Sequence, residues 1–86
     1  MIIDYEKSFL KQLKKSPTKI KKQVLEKFEL FVKDSFDKTL NNHGLKGNYS
    51  CHRSININGD WRAVYYPKSC DRAIFVAIGT HSQLYK

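Results

Sequence analysis

Three histidines, one aspartate and two arginines are the side chains whose types and settings could do chemistry in this sequence. His43 lies in a polar, glycine-punctuated stretch, and His81 follows Gly79-Thr80 directly after an apolar run. Both places suit an exposed group held by a rigid scaffold. His52 falls in a stretch where apolar and polar residues alternate, beside Arg53; Arg62 stands in the next strand-like run. One arginine on a strand is more often paired or solvent-facing than functional. Two on adjoining strands point towards an anion site, because guanidinium groups grip phosphate in a bidentate way. Asp60 follows Asn58-Gly59, where turn formation is its ordinary explanation.

Imidazoles, a carboxylate and arginines on a basic chain are the inventory for metal-free RNA cleavage. In that reaction the ribose 2′-hydroxyl attacks the adjacent phosphate. A general base takes its proton, a general acid serves the leaving 5′-oxygen, and cations stabilise the charge on phosphorus. The same residues would equally serve a plain RNA-binding surface. Other chemistries find little support: there is no nucleophile elbow, phosphate-binding loop, zinc-protease helix or dinucleotide fingerprint. The histidines lack partners at ligand spacing, so no metal or cofactor is expected. Cys51 and Cys70 are too isolated for a disulfide framework and are expected as small buried hydrophobes on strands.

Length and charge set the frame. The 86 residues make one domain spanning 1–86. Sixteen Lys and Arg against eight Asp and Glu give a formal charge of +8, a field that draws in polyanions. The start of the chain lacks the basic and apolar regions of a signal peptide, and no apolar run approaches membrane-spanning length. A reducing cytoplasm with no membrane partner is the expected setting.

The elements that must position these residues follow from hydrophobic period. Met1 to Ile3 reads as a short strand, with Asp4 as the cap of a helix carrying Tyr5, Phe9, Leu10 and Leu13 on one face. Ser16-Pro17 reads as the opening of a second helix with Ile20, Val24, Phe28, Phe31 and Val32 at helical spacing. Residues 37–48 read as a loop. Tyr49 to Asn58 alternates with a period of two, Asn58-Gly59 signals a hairpin, and Trp61–Tyr66 and Ala73–Ile78 supply two more strands. The last residues read as a turn or short helix. The order β-α-α-β-β-β indicates an α+β domain, a twisted antiparallel sheet with an N-terminal helical hairpin packed on one face.

Three segments carry a more specific signal. His43-Gly44-Leu45-Lys46-Gly47, Gly59-Asp60-Trp61-Arg62-Ala63-Val64-Tyr65 and Ile78-Gly79-Thr80-His81-Ser82-Gln83-Leu84-Tyr85 resemble, in this order, the RelE/ParE toxin superfamily of type II toxin-antitoxin systems, its YafQ-like branch above all. The resemblance implies a toxin that cleaves mRNA on the ribosome and is restrained by a cognate antitoxin. It carries catalytic roles onto His81, Asp60, His43 and Arg62. It places substrate contacts at Tyr85, and Lys46 lies within the first of the matching segments. Two positions depart: Asn56 stands where the branch has a strand histidine, and Ala77 where it has a last-strand arginine. Arg53 and His52 are the nearby residues that could take over those substrate contacts. The same resemblance leaves open a non-enzymatic toxin binding DNA gyrase, as in the ParE branch, and an RNA- or ribosome-binding protein with weakened catalysis.

Overall fold

A computed structural model of the chain describes residues 1–85. Strand β1 (Ile2–Tyr5) leads into helices α1 (Lys7–Lys15) and α2 (Thr18–Lys33). Strands β2 (His43–Gly44), β3 (Arg53–Asn56), β4 (Trp61–Ser69) and β5 (Arg72–Thr80) follow, and a single turn, α3 (His81–Leu84), ends the described elements. The sheet order is β1-β5-β4-β3-β2. The expected α+β architecture is present, with two differences in the sheet: His43–Gly44, expected within a loop, adds a fifth strand, and not every pairing is antiparallel. Strands β2 to β5 pair antiparallel, but β1 runs parallel to β5. The helical hairpin forms the long crossover that a parallel neighbour needs, and successive antiparallel pairings then return β5 beside β1.

The helices adhere to one sheet face through rings. Phe75 of β5 is fully buried. It meets Phe28 at a centroid distance of 4.3 Å, Tyr65 at 5.2 Å, Phe31 at 5.4 Å and Phe9 at 5.7 Å. Ile20, Val24, Ile55, Ile57, Ala63, Ala73 and Ile78 fill the space around them. Each aromatic pair adds on the order of 1 kcal/mol beyond its area burial. The expected helical stripes therefore hold at Phe9, Ile20, Val24, Phe28 and Phe31. They fail at Leu10 and Val32, which are 49% and 46% exposed. Those two flank the stripe and turn outwards, where Val32 joins Leu25, Tyr5 and Ile3 along an open apolar groove between α2 and β1.

Local signals shifted by a few residues. Asp4 belongs to β1 and pairs with Arg72 at 2.6 Å, so it does not cap α1, which starts after Glu6 without a side-chain cap. Ser16 closes α1 and does not open α2: its N–H donates to the Leu13 carbonyl and its Oγ donates to the Gln12 carbonyl. Pro17 then sets the extended backbone from which α2 begins at Thr18. The strand expected from Tyr49 is shorter, because Cys51 takes φ +67°, the left-handed region that interrupts extended pairing. Residues 47–49 form a 3₁₀ turn. Both cysteines are exposed rather than buried, since each lies in a turn and not within a strand.

Replacing Phe75 with Ala removes the ring shared by four neighbours. Denaturant unfolding should show a loss of about 3–5 kcal/mol, whereas Leu25→Ala, at a side chain 68% exposed, should stay within about 0.5 kcal/mol.

Candidate functional site

Because the helices cover one face of the sheet, residues of the opposite parity look outwards. Directly opposed residues of an antiparallel pair share a face. His43 opposes Ser54, Ser54 opposes Val64, and Val64 opposes Ala77. One step along, Asn56 opposes Arg62 and Arg62 opposes Gly79. The two rows place His43, Ser54, Asn56 and Arg62 on the face away from the helices, over a floor of small side chains.

That face is roofed by the last turn and by the 47–52 loop. Thr80 and Gln83 form a reciprocal capping box: the Thr80 N–H donates to Gln83 Oε1 at 2.8 Å, and the Gln83 N–H donates to Thr80 Oγ1 at 3.3 Å. Gly79 makes room for it, since a Cβ there would lie 2.9 Å from Gln83 Oε1. The box sets His81 at the first position of α3. The His81 backbone N–H donates to the Asp60 carbonyl at 3.0 Å, bringing the β3–β4 turn and the histidine side by side. Tyr85 returns over the sheet, its ring 4.8 Å from that of His81, and its hydroxyl donates to Ser54 Oγ at 2.8 Å.

The turn carrying Asp60 and Arg62 is organised by Asn58. Its Oδ1 accepts from the N–H groups of Asp60 and Trp61, both at 2.9 Å, and its Nδ2 donates to Gln23 Oε1 on α2 at 2.8 Å. The Arg62 guanidinium folds onto the same turn, donating to the carbonyls of Asn58, Trp61 and Gly59. These partners are neutral carbonyls, and among the described residues none bonds Nε or the second Nη2 hydrogen. Among the described residues the arginine in a salt bridge is Arg72, far along β5.

The other histidines are oriented by backbone carbonyls. His43 Nδ1 lies 2.8 Å from the Asn41 carbonyl and His52 Nδ1 lies 3.0 Å from the Ser50 carbonyl. A carbonyl can only accept, so Nδ1 is the donor in each bond and Nε2 is left as the open ring nitrogen. The loop bearing His43 is itself anchored at Asp37, whose carboxylate accepts from the Thr39 N–H and hydroxyl; those bonds hold its pKa below the ordinary value. Burial pushes the phenol of Tyr5 up, on the groove side of the molecule.

The residues anticipated from sequence thus divide. His81, Asp60, Arg62, Tyr85, His43 and His52 fall on or around the outer face. Lys46 borders it, in a cleft with Gly47, Asn48, Tyr49, Leu84 and Tyr85. Arg53 stands apart, because its parity matches Ile55 and sends it to the helix side. There its Nε donates to Asn42 Oδ1 at 2.7 Å and its guanidinium lies 5.2 Å over the Phe36 ring. Asn56 keeps its place beside Arg62, with Oδ1 buried and without a hydrogen-bond partner among the described residues. Tyr49, Ser54 and Tyr66 were not singled out. For Ser54 and Tyr66 the available signal was parity with His52 and Arg62 on their own strands. No group of three or more His, Cys, Asp or Glu among the described residues could hold a metal ion.

Comparison with solved structures places the fold. YafQ from E. coli strain BL21(DE3) is 18% identical with a TM-score of 0.81, covering 98% of this chain and 97% of its own. A copper-bound mutant toxin from Helicobacter pylori is 28% identical with a TM-score of 0.69, at 99% coverage of both chains. A YoeB/ParE toxin from Agrobacterium tumefaciens is 16% identical with a TM-score of 0.74, covering 94% of this chain and 99% of its own. Among curated proteins no match is found. The sheet, hairpin and roofing turn give the chain the fold shared by these solved toxins. The model of the YafQ family, bacterial toxins of type II toxin-antitoxin systems, matches residues 1–86, and the chain belongs to that family.

The Tyr85–Ser54 bond is a sensitive point, since Ser54 is fully buried. Tyr85→Phe keeps the ring and strands the serine hydroxyl, so unfolding should show a loss of about 1–3 kcal/mol, with Ser54→Ala in the same background restoring part of it.

Proposed function

We propose that the protein is a ribosome-dependent mRNA endonuclease that cleaves by attack of a 2′-hydroxyl on the adjacent phosphate. The observation that carries this reading is the backbone bond of His81 to Asp60 and its ring contact with Tyr85, next to a turn whose Arg62 makes no salt bridge among the described residues. His81 serves as general acid or base, and His43 and Asp60 share the proton transfers, His43 through its open Nε2. Arg62 stabilises the charge gathering on phosphorus. Tyr85 orients a base. Asn56 and Ala77, which replace an imidazole and a cation of the related pattern, leave fewer groups for both jobs. The lysines of α1 and α2 add affinity for ribosomal RNA, and the cytoplasm is where such a target lies.

Family membership also supports a protein partner. A crystal structure of the E. coli DinJ-YafQ toxin-antitoxin complex is 19% identical to this chain over 98% of its length, with a TM-score of 0.78. On this reading the chain is held inactive by an antitoxin of its own.

With mRNA on programmed ribosomes, His81→Ala should slow cleavage by about 10²–10⁴-fold, and a 2′-deoxy nucleotide at the scissile position should abolish it. Cleavage that persists through both changes would retire the mechanism; gyrase inhibition surviving His81→Ala would move the protein to the non-enzymatic class.

A further inference from the structure

The outer face holds more rings than the proton transfers require. From the His81–Tyr85 pair the series continues to Tyr49, 6.3 Å from Tyr85. It then runs to His52, 5.9 Å from Tyr49, and to Tyr66, 5.5 Å from His52. The interplanar angles along it are 71°, 90°, 69° and 59°. The helix side mixes both arrangements: Tyr5, Phe9 and Phe28 lie 13° to 22° from parallel, while Phe31 meets Tyr65 at 73° and Phe75 at 74°. An edge-to-face contact covers one face of one of its two rings, whereas a parallel contact covers a face of each. A lid that merely shields Ser54 and Val64 has no need of Tyr66, which is 41% exposed at the far end of the series.

We propose that Tyr49, His52 and Tyr66 form a stacking platform for bases of single-stranded RNA flanking the reacting nucleotide, with Lys46 holding a backbone phosphate beside it. The choice of RNA as ligand rests on the endonuclease reading above. Two further observations fit it. The cleft that joins Lys46 to Tyr49 and Tyr85 is about 290 Å³, the scale of a small-ligand site. His52 is locked by its bond to the Ser50 carbonyl, so its ring is held in place before a base arrives. Stacking on rings tolerates any base, and single-stranded RNA offers its bases unstacked. The platform therefore contributes affinity and register, while the chemistry stays with His81.

The test reads binding without cleavage, using a fluorescein-labelled single-stranded 2′-O-methyl RNA, which has no attacking hydroxyl, and fluorescence anisotropy. Tyr66→Ala and His52→Ala should each weaken binding about tenfold, and Tyr66→Phe should keep wild-type affinity. On an abasic strand of equal length, wild type and Tyr66→Ala should bind alike, since only phosphates remain. Equal affinity of Tyr66→Ala and wild type for the base-bearing strand would overturn the proposal. So would a tenfold loss that persists on the abasic strand, or a Tyr66→Phe variant as weak as Tyr66→Ala. A protein that passes these tests yet cleaves nothing on ribosomes would retire the endonuclease reading and leave the platform standing.

Discussion

The packing of Phe75 between the helices and its own sheet is the contact from which the rest of the molecule follows. Four aromatic neighbours converge on it from α1, α2 and β4. A sheet residue can face only one way, so committing this set to the helix side commits the alternate set to the other side. Small domains have little area with which to stabilise themselves. The helices cover one face of the sheet, and the second face has to be closed by whatever short segments remain.

Those segments are the 47–52 loop and α3, and apart from Leu84 they close the face with polar or aromatic side chains. Ser54, Val64 and Ala77 lie beneath them with almost no exposure. A roof of Leu and Ile would bury the floor more tightly, but it would present nothing to an anion. The register irregularity between Val64 and Tyr65 serves the same division of labour. It lets Val64 meet Ala77 on one face while Tyr65 meets Phe75 on the other, so both faces remain in register through the longest pairing of the sheet.

Much of this was legible from residue types. Helical spacing located Ile20, Val24, Phe28 and Phe31, and the Asn58-Gly59 pair located the turn that carries Asp60. Three ordered segments pointed to the superfamily before any geometry. What escaped depended on facts that spacing does not contain. Cys51 entering the left-handed region shortened a strand that alternation had extended to Tyr49. Ser16 could have closed one helix or opened the next, and its bond to Gln12 decided between them. Arg53 shares parity with Ile55, yet parity alone does not say that this face is the helix side, away from the expected phosphate. The ring series was invisible for a different reason: its members come from three distant stretches, and only the return of Tyr85 over β3 brings them together.

The capping box of α3 follows the aromatic core in the order of the reading frame. None of the rings that hold Phe75 lies beyond residue 75, while His81 and Tyr85 both lie after Gly79. Core and terminal turn are thus written in successive stretches of the reading frame. A late nonsense or frameshift mutation would leave the rings around Phe75 in place while uncovering Ser54, which Tyr85 shields. The same change would remove His81, so the proposed proton transfers and the closure of the outer face are exposed to a single late mutation.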